Sequence, residues 1–98
     1  MSLSRKAINF DLSTEELKKY FKESTAPAYS AIKNFMLENG FEYRQDLGYA
    51  SKEQMSDKQI NLLIRRLSKQ FPWLSICVRE FNVSDIGKQR DLTHLFKK

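Results

Sequence analysis

An α+β fold, one four-stranded antiparallel sheet with its helices packed on a single face, is what the sequence predicts, and three observations carry the prediction. Strand-like and helix-like stretches follow one another as strand, helix, two strands, helix, strand. The segments near both ends alternate apolar and polar residues, as strands with one covered face do. Two helical stripes are each closed by a residue suited to stop them, Gly40 after the first and Pro72 after the second.

Taken in order, Met1 to Ser4 stand outside any periodic pattern and are set aside as start residues. A strand is expected from Lys6 to Leu12, with Ile8, Phe10 and Leu12 on the core side and Ala7, Asn9 and Asp11 on the other. Ser13 and Glu16 have capping-box spacing, and Leu17, Tyr20 and Phe21 mark one face of a short helix. Pro27 suits the first turn of a second helix, because its missing N–H would be unpaired there in any case. The apolar stripe of that helix reads Tyr29, Ile32, Phe35 and Met36, and Gly40 supplies the left-handed residue past its end.

Phe41 to Ser51 predicts two short antiparallel strands around a turn or bulge at Gln45 to Gly48, with one longer bent strand as the alternative. Ser56 and Gln59 again have capping-box spacing, ahead of a stripe of Ile60, Leu63, Ile64, Leu67 and Phe71. Leu74 to Val83 reads as a strand, with Ile76 and Val78 on one face and Cys77, Arg79 and Phe81 on the other. A polar stretch follows to Arg90, and Asp91 suits the cap of a last helical turn, a C-terminal extension. With right-handed crossovers this βαββαβ order closes into a ferredoxin-like sandwich. Asn9, Asp11 and Arg79 then fall on or beside the open sheet face, a surface for a sheet-to-sheet homodimer or for a ligand.

The 98 residues make a single domain whose small core would gain from dimerisation. Apolar residues at 41% are those of a folded protein, no run approaches a membrane span, and no signal peptide is evident, so a cytoplasmic protein is expected. Cys77 is the only cysteine, which excludes an intrachain disulfide and a thiolate zinc cage. Seventeen Lys and Arg against twelve Asp and Glu, net +5, permit a polyanionic partner such as RNA. Glycine phosphate loops, nucleophile elbows and Cys/His ligand clusters are absent from the sequence, which argues against nucleotide hydrolases and zinc enzymes.

In combination, "AINFDL" before a helix, "NGFEYRQ" after it, and "FPWLSICVREFNV" near the end resemble the VapD family, the virulence-associated D proteins of bacteria. That family is similar in turn to the small CRISPR-associated endonuclease of spacer acquisition. The resemblance spans Lys6 to Lys98 and implies a homodimeric endoribonuclease, with an antitoxin protein as a further partner in toxin–antitoxin settings. It places the catalytic acid at Asp11 and matches a family glutamine at Gln45 and a basic–acidic pair at Arg79 and Glu80; with Asn9, placed on the open face by the strand reading, Gln45 and Arg79 are the expected substrate contacts. Where the family pattern follows its glutamine with a serine and a small β-branched residue, this chain carries Asp46, Leu47 and Gly48.

Two routes to phosphodiester cleavage are open. In one, two Asp11 side chains facing each other across a dimer axis hold Mg2+ or Mn2+. The other uses a general base and acid, commonly a histidine pair, whereas His94 is the only histidine. Without the resemblance, Asp11 reads first as an acid favouring the helix that follows, worth about 0.3–1 kcal/mol, and only the resemblance puts the catalytic role ahead. A ferredoxin-like dimer that binds RNA or a partner protein with little catalysis is the alternative from another functional class.

Overall fold

The computed structural model describes residues 3–86. Its elements are β1 (Lys6–Leu12), α1 (Thr14–Tyr20), α2 (Ala26–Glu38), β2 (Phe41–Arg44), β3 (Gly48–Ser51), α3 (Asp57–Gln70), α4 (Leu74–Cys77) and β4 (Val78–Asp85). The sheet order is β2-β3-β1-β4 and every neighbouring pair is antiparallel, the ferredoxin-like arrangement the sequence predicts. The expected last helical turn at Asp91 and His94 lies outside the described residues.

The helix starts follow local chemistry. Ser56 caps α3 with a complete capping box: its side chain accepts from Gln59 N while the Gln59 side chain accepts from Ser56 N. Ile60, Leu63 and Leu67 then recur at helical spacing and are buried, each contributing about 1.5–3 kcal/mol by leaving water. In α2 the inward residues are Ala28, Ile32, Phe35 and Met36. Tyr29, expected in that stripe, is 43% exposed, because the small Ala28 takes the core position one residue earlier.

The last strand starts later than the sequence predicts. Leu74 to Cys77 form a helical turn, held by Cys77 N donating to Trp73 O at 3.1 Å. Leu74 and Cys77 are both buried. A strand would point residues three apart to opposite faces, whereas one helical turn buries both. The strand proper continues to Asp85, into a stretch that reads as polar loop.

Beside this start the ladder slips. Asp11 is opposite Glu80 but Leu12 is opposite Val78, so Arg79 is the extra residue of a β-bulge. Strict alternation puts Arg79 and Phe81 on one face. The bulge separates them: Phe81 lies across from Phe10, ring centroids 6.1 Å apart, on the side packed by the helices, while Arg79 turns toward Asp11.

One core-side residue of β1 is charged. Lys6 is 2% exposed, and its ammonium donates to Asp85 at 2.6 Å and Asp57 at 2.9 Å, joining β1 to the end of β4 and the first turn of α3. These two hydrogen bonds, Asp85 first, hold its pKa above the ordinary value, although burial alone pulls it down.

Candidate active site

Asp11 sits where β1 leaves the sheet. Ser13 N donates to Cys77 O at 2.7 Å, tying this exit to the turn that precedes β4. The Asp11 carboxylate lies 3.9 Å from the Arg79 guanidinium, and both side chains are mostly exposed, at 59% and 68%. An open recess of about 520 Å3 is lined by this pair with Ser13, Thr14 and Glu15. The bulge is what makes the pair, since an unbroken register would carry Arg79 to the helix side.

The helix-start role open to Asp11 is filled by others. Ser13 is the N-cap, accepting from Glu16 N, and the acids of the first turn are Glu15 and Glu16. Asp11 instead faces a cation beside an open recess. An exposed carboxylate–guanidinium pair contributes little to stability, at most about 1 kcal/mol, so stability is a weak reason for this geometry.

Asn9 and Gln45 come together at the other side of β1. They line a recess of about 250 Å3 with Phe10, Tyr43, Gly48 and Tyr49, among others. β3 pairs with β1 only through Ala50 and Tyr49, so beyond Ile8 that edge of β1 has no strand against it. The Asn9 carboxamide donates to Leu47 O at 3.1 Å and fixes the β2–β3 turn in this gap. The four residues singled out in the sequence thus form two pairs, each with one member on β1: Asn9 with Gln45 of the β2–β3 turn, and Asp11 with Arg79 of β4.

Gly48 is required at this corner. Its φ is +82°, and a β-carbon there would stand 2.6 Å from Ile8 O and 2.7 Å from Asn9 Oδ1. Gly48→Ala is therefore expected to destabilise the fold by about 1–3 kcal/mol. Urea unfolding beside Gly40→Ala checks this: Gly40 also has positive φ, but its β-carbon would meet nothing within 4 Å. A Gly48→Ala loss no larger than that of Gly40→Ala would contradict the steric reading.

The donors for a metal are few. Among the described residues no group of three or more His, Cys, Asp or Glu is arranged to hold an ion. Asp11 has a cation as its near neighbour, and one protomer falls short of a divalent site. Cys77 is buried, and burial pushes its thiol pKa up, which leaves it inert. Trp73 packs edge-on against Phe21 at 5.0 Å and belongs to the core rim. His94 lies outside the described residues. Among those residues, no helix is long and apolar enough to cross a membrane.

Two known proteins are similar over most of the chain. Endoribonuclease VapD 2 of Riemerella anatipestifer is 32% identical over 87 residues, 88% of this chain and 93% of that protein. Endoribonuclease VapD homolog of Helicobacter pylori is 29% identical over 91 residues, 93% of this chain and 95% of that protein. A scan against protein-family models finds no match.

Proposed function

The chain belongs to the VapD family, and from that premise we propose that it is an endoribonuclease that cuts RNA as a homodimer, with Asp11 as its catalytic acid. The observation that carries this reading is the exposed Asp11 beside Arg79, 3.9 Å apart at a bulge over an open recess. Arg79 presents a planar fork of donors suited to a phosphate. Asp11 gives the negative charge that RNA cleavage needs at the same place, while Asn9 and Gln45 contact the substrate further along β1.

The dimer forms through the sheet face that carries Asp11, Arg79 and Glu80, all exposed, since the helices pack on the other side. Acid and base on one face suit a twofold contact, where each side meets its complement. Two Asp11 carboxylates so paired would hold Mg2+ or Mn2+, which when bound would offset charge on the phosphate and activate water. A toxin role with a cognate antitoxin protein, in the cytoplasm, fits this reading as its biological setting.

The test is incubation of pure protein with structured and single-stranded RNAs in Mg2+, Mn2+ or EDTA. Cleavage with metal that EDTA abolishes is expected. Cleavage undiminished in EDTA would remove the ion from the proposal, and no cleavage at all would favour an RNA-binding dimer. Light scattering should give twice the monomer mass; a strict monomer at tens of micromolar would rule out the shared site. RNA affinity should also fall as salt rises several-fold, because phosphate contacts release counterions. Salt-independent binding would contradict a mainly electrostatic contact.

A further inference from the structure

Two tyrosines beside the Asn9–Gln45 recess are left partly in water. Tyr43 of β2 is 59% exposed and Tyr29 of α2 is 43% exposed. Tyr43 does not hang free. Its ring meets Tyr49 edge-on at 5.6 Å, and Tyr49 in turn lies parallel to Phe10 at 6.0 Å, so a layered, largely buried base holds the exposed ring in place. Tyr29 closes the recess from the helix side. A second recess of about 290 Å3 shares Tyr29, Tyr43 and Tyr49 and adds Lys33.

This combination selects a ligand chemistry. Fixed aromatic faces open to solvent favour a planar ring, and base–aromatic stacking tolerates any base. The Asn9 and Gln45 carboxamides supply donors and acceptors for the polar rim of such a ring. Lys33 supplies a cation for an attached phosphate. Each recess is smaller than the roughly 300–1,000 Å3 of a drug-sized site and suits one ring system. Tyr43 and Tyr49 share the helix side of the sheet with Ile8, whereas Asn9 and Asp11 face the open side, so the recess at the uncovered edge of β1 is where a strand would pass from one side to the other.

We propose that Tyr29 and Tyr43 form a nucleobase subsite that takes one unstacked base of single-stranded RNA at the open edge of β1 beside Asn9. The proposal deepens the RNA-cleaving reading and rests on it for the identity of the ligand. A base inside a duplex has both faces covered by its neighbours. The subsite therefore selects single-stranded or looped RNA over a continuous helix.

The test uses the full chain with Asp11→Asn, so that binding is read without cleavage, and a short single-stranded RNA containing 2-aminopurine, whose fluorescence falls on stacking. Quenching is expected, with an affinity loss of about tenfold or more for Tyr43→Ala and Tyr29→Ala added to that background. Tyr43→Phe, which keeps the ring, should bind like its parent. Melting temperature and light scattering on each variant confirm fold and mass. Equal binding of an abasic RNA, or unchanged affinity and quenching in both alanine variants, would overturn the subsite even if the wild type cleaves RNA. Loss of the dimer in Tyr43→Ala with RNA binding intact would overturn it in favour of a protein contact. If the wild type cuts no RNA yet stacking still depends on Tyr43, the subsite stands and the cleavage reading fails.

Discussion

Asp11→Asn is expected to abolish RNA cleavage while leaving a folded dimer. Asparagine keeps the shape of the side chain and some hydrogen bonding, but it loses the charge needed to hold a cation or accept a proton. Loss of a positioned acid–base group lowers rates by about 10²–10⁴-fold, which takes a modest nuclease below detection. The fold should scarcely notice, because the carboxylate is 59% exposed and its ion-pair partner Arg79 is 68% exposed. If Asp11 serves only the helix that follows, the pattern inverts: stability falls by up to about 1 kcal/mol and cleavage stays. Matched preparations of both proteins, with melting temperature and mass measured on each, separate the two. A folded dimeric variant cutting at the wild-type rate refutes the role, provided the wild-type activity is free of contaminating ribonuclease. Arg79→Lys should keep the charge but lose the planar fork, weakening substrate binding more than folding.

Lys6→Ala is expected to be the most damaging single change to the fold. The substitution removes a buried stem and two charge-assisted hydrogen bonds that tie β1 to β4 and α3. Truncating a buried side chain of that length costs about 2–5 kcal/mol, against a total of about 5–15 for a domain. Lys6→Met keeps most of the volume and loses the ion pairs. Its cost should be nearer 1–2 kcal/mol, since Asp57 is 86% exposed and hydrates freely once unpaired. Urea midpoints of the two variants measure the difference. Equal midpoints for wild type and Lys6→Ala would sink the assignment.

The same lysine sets an alkaline limit. Its folded pKa is raised above the ordinary 10.5 by Asp85 and Asp57. The stabilisation is therefore complete below about pH 10.5 and is lost as pH rises through the folded value. Stability measured between pH 9 and pH 12 should fall more steeply in the wild type than in Lys6→Met. Parallel curves would show that Lys6 contributes nothing to the limit.

Element order, the ferredoxin-like topology, both serine caps and the Gly40 stop were legible in the sequence, because each depends on residues within a few positions of one another. Capping needs an oxygen and an N–H three residues apart, and the stripes of α3 need only the helical period. The placement of Asp11, an exposed acid near the exit of β1, was legible as well. Family membership followed from motifs in order along the chain.

What the chain alone did not reveal depended on contacts between distant segments. Arg79 stands with Asp11 as the strand reading expects, but Phe81, grouped with it by alternation, is sent to the helix side by a bulge, a mismatch between two strands that neither strand encodes alone. Leu74 to Cys77 carried a strand-like apolar run but formed a helical turn, because two residues three apart both found the core. Nothing near Lys6 in the sequence marks it as buried, and Asp57 and Asp85, some 51 and 79 residues away, make its burial tolerable. Local hydrogen bonds and periodicity are written along the sequence. Burial of charge, strand register and the meeting of Asp11 with Arg79 are set when segments far apart in sequence share one surface.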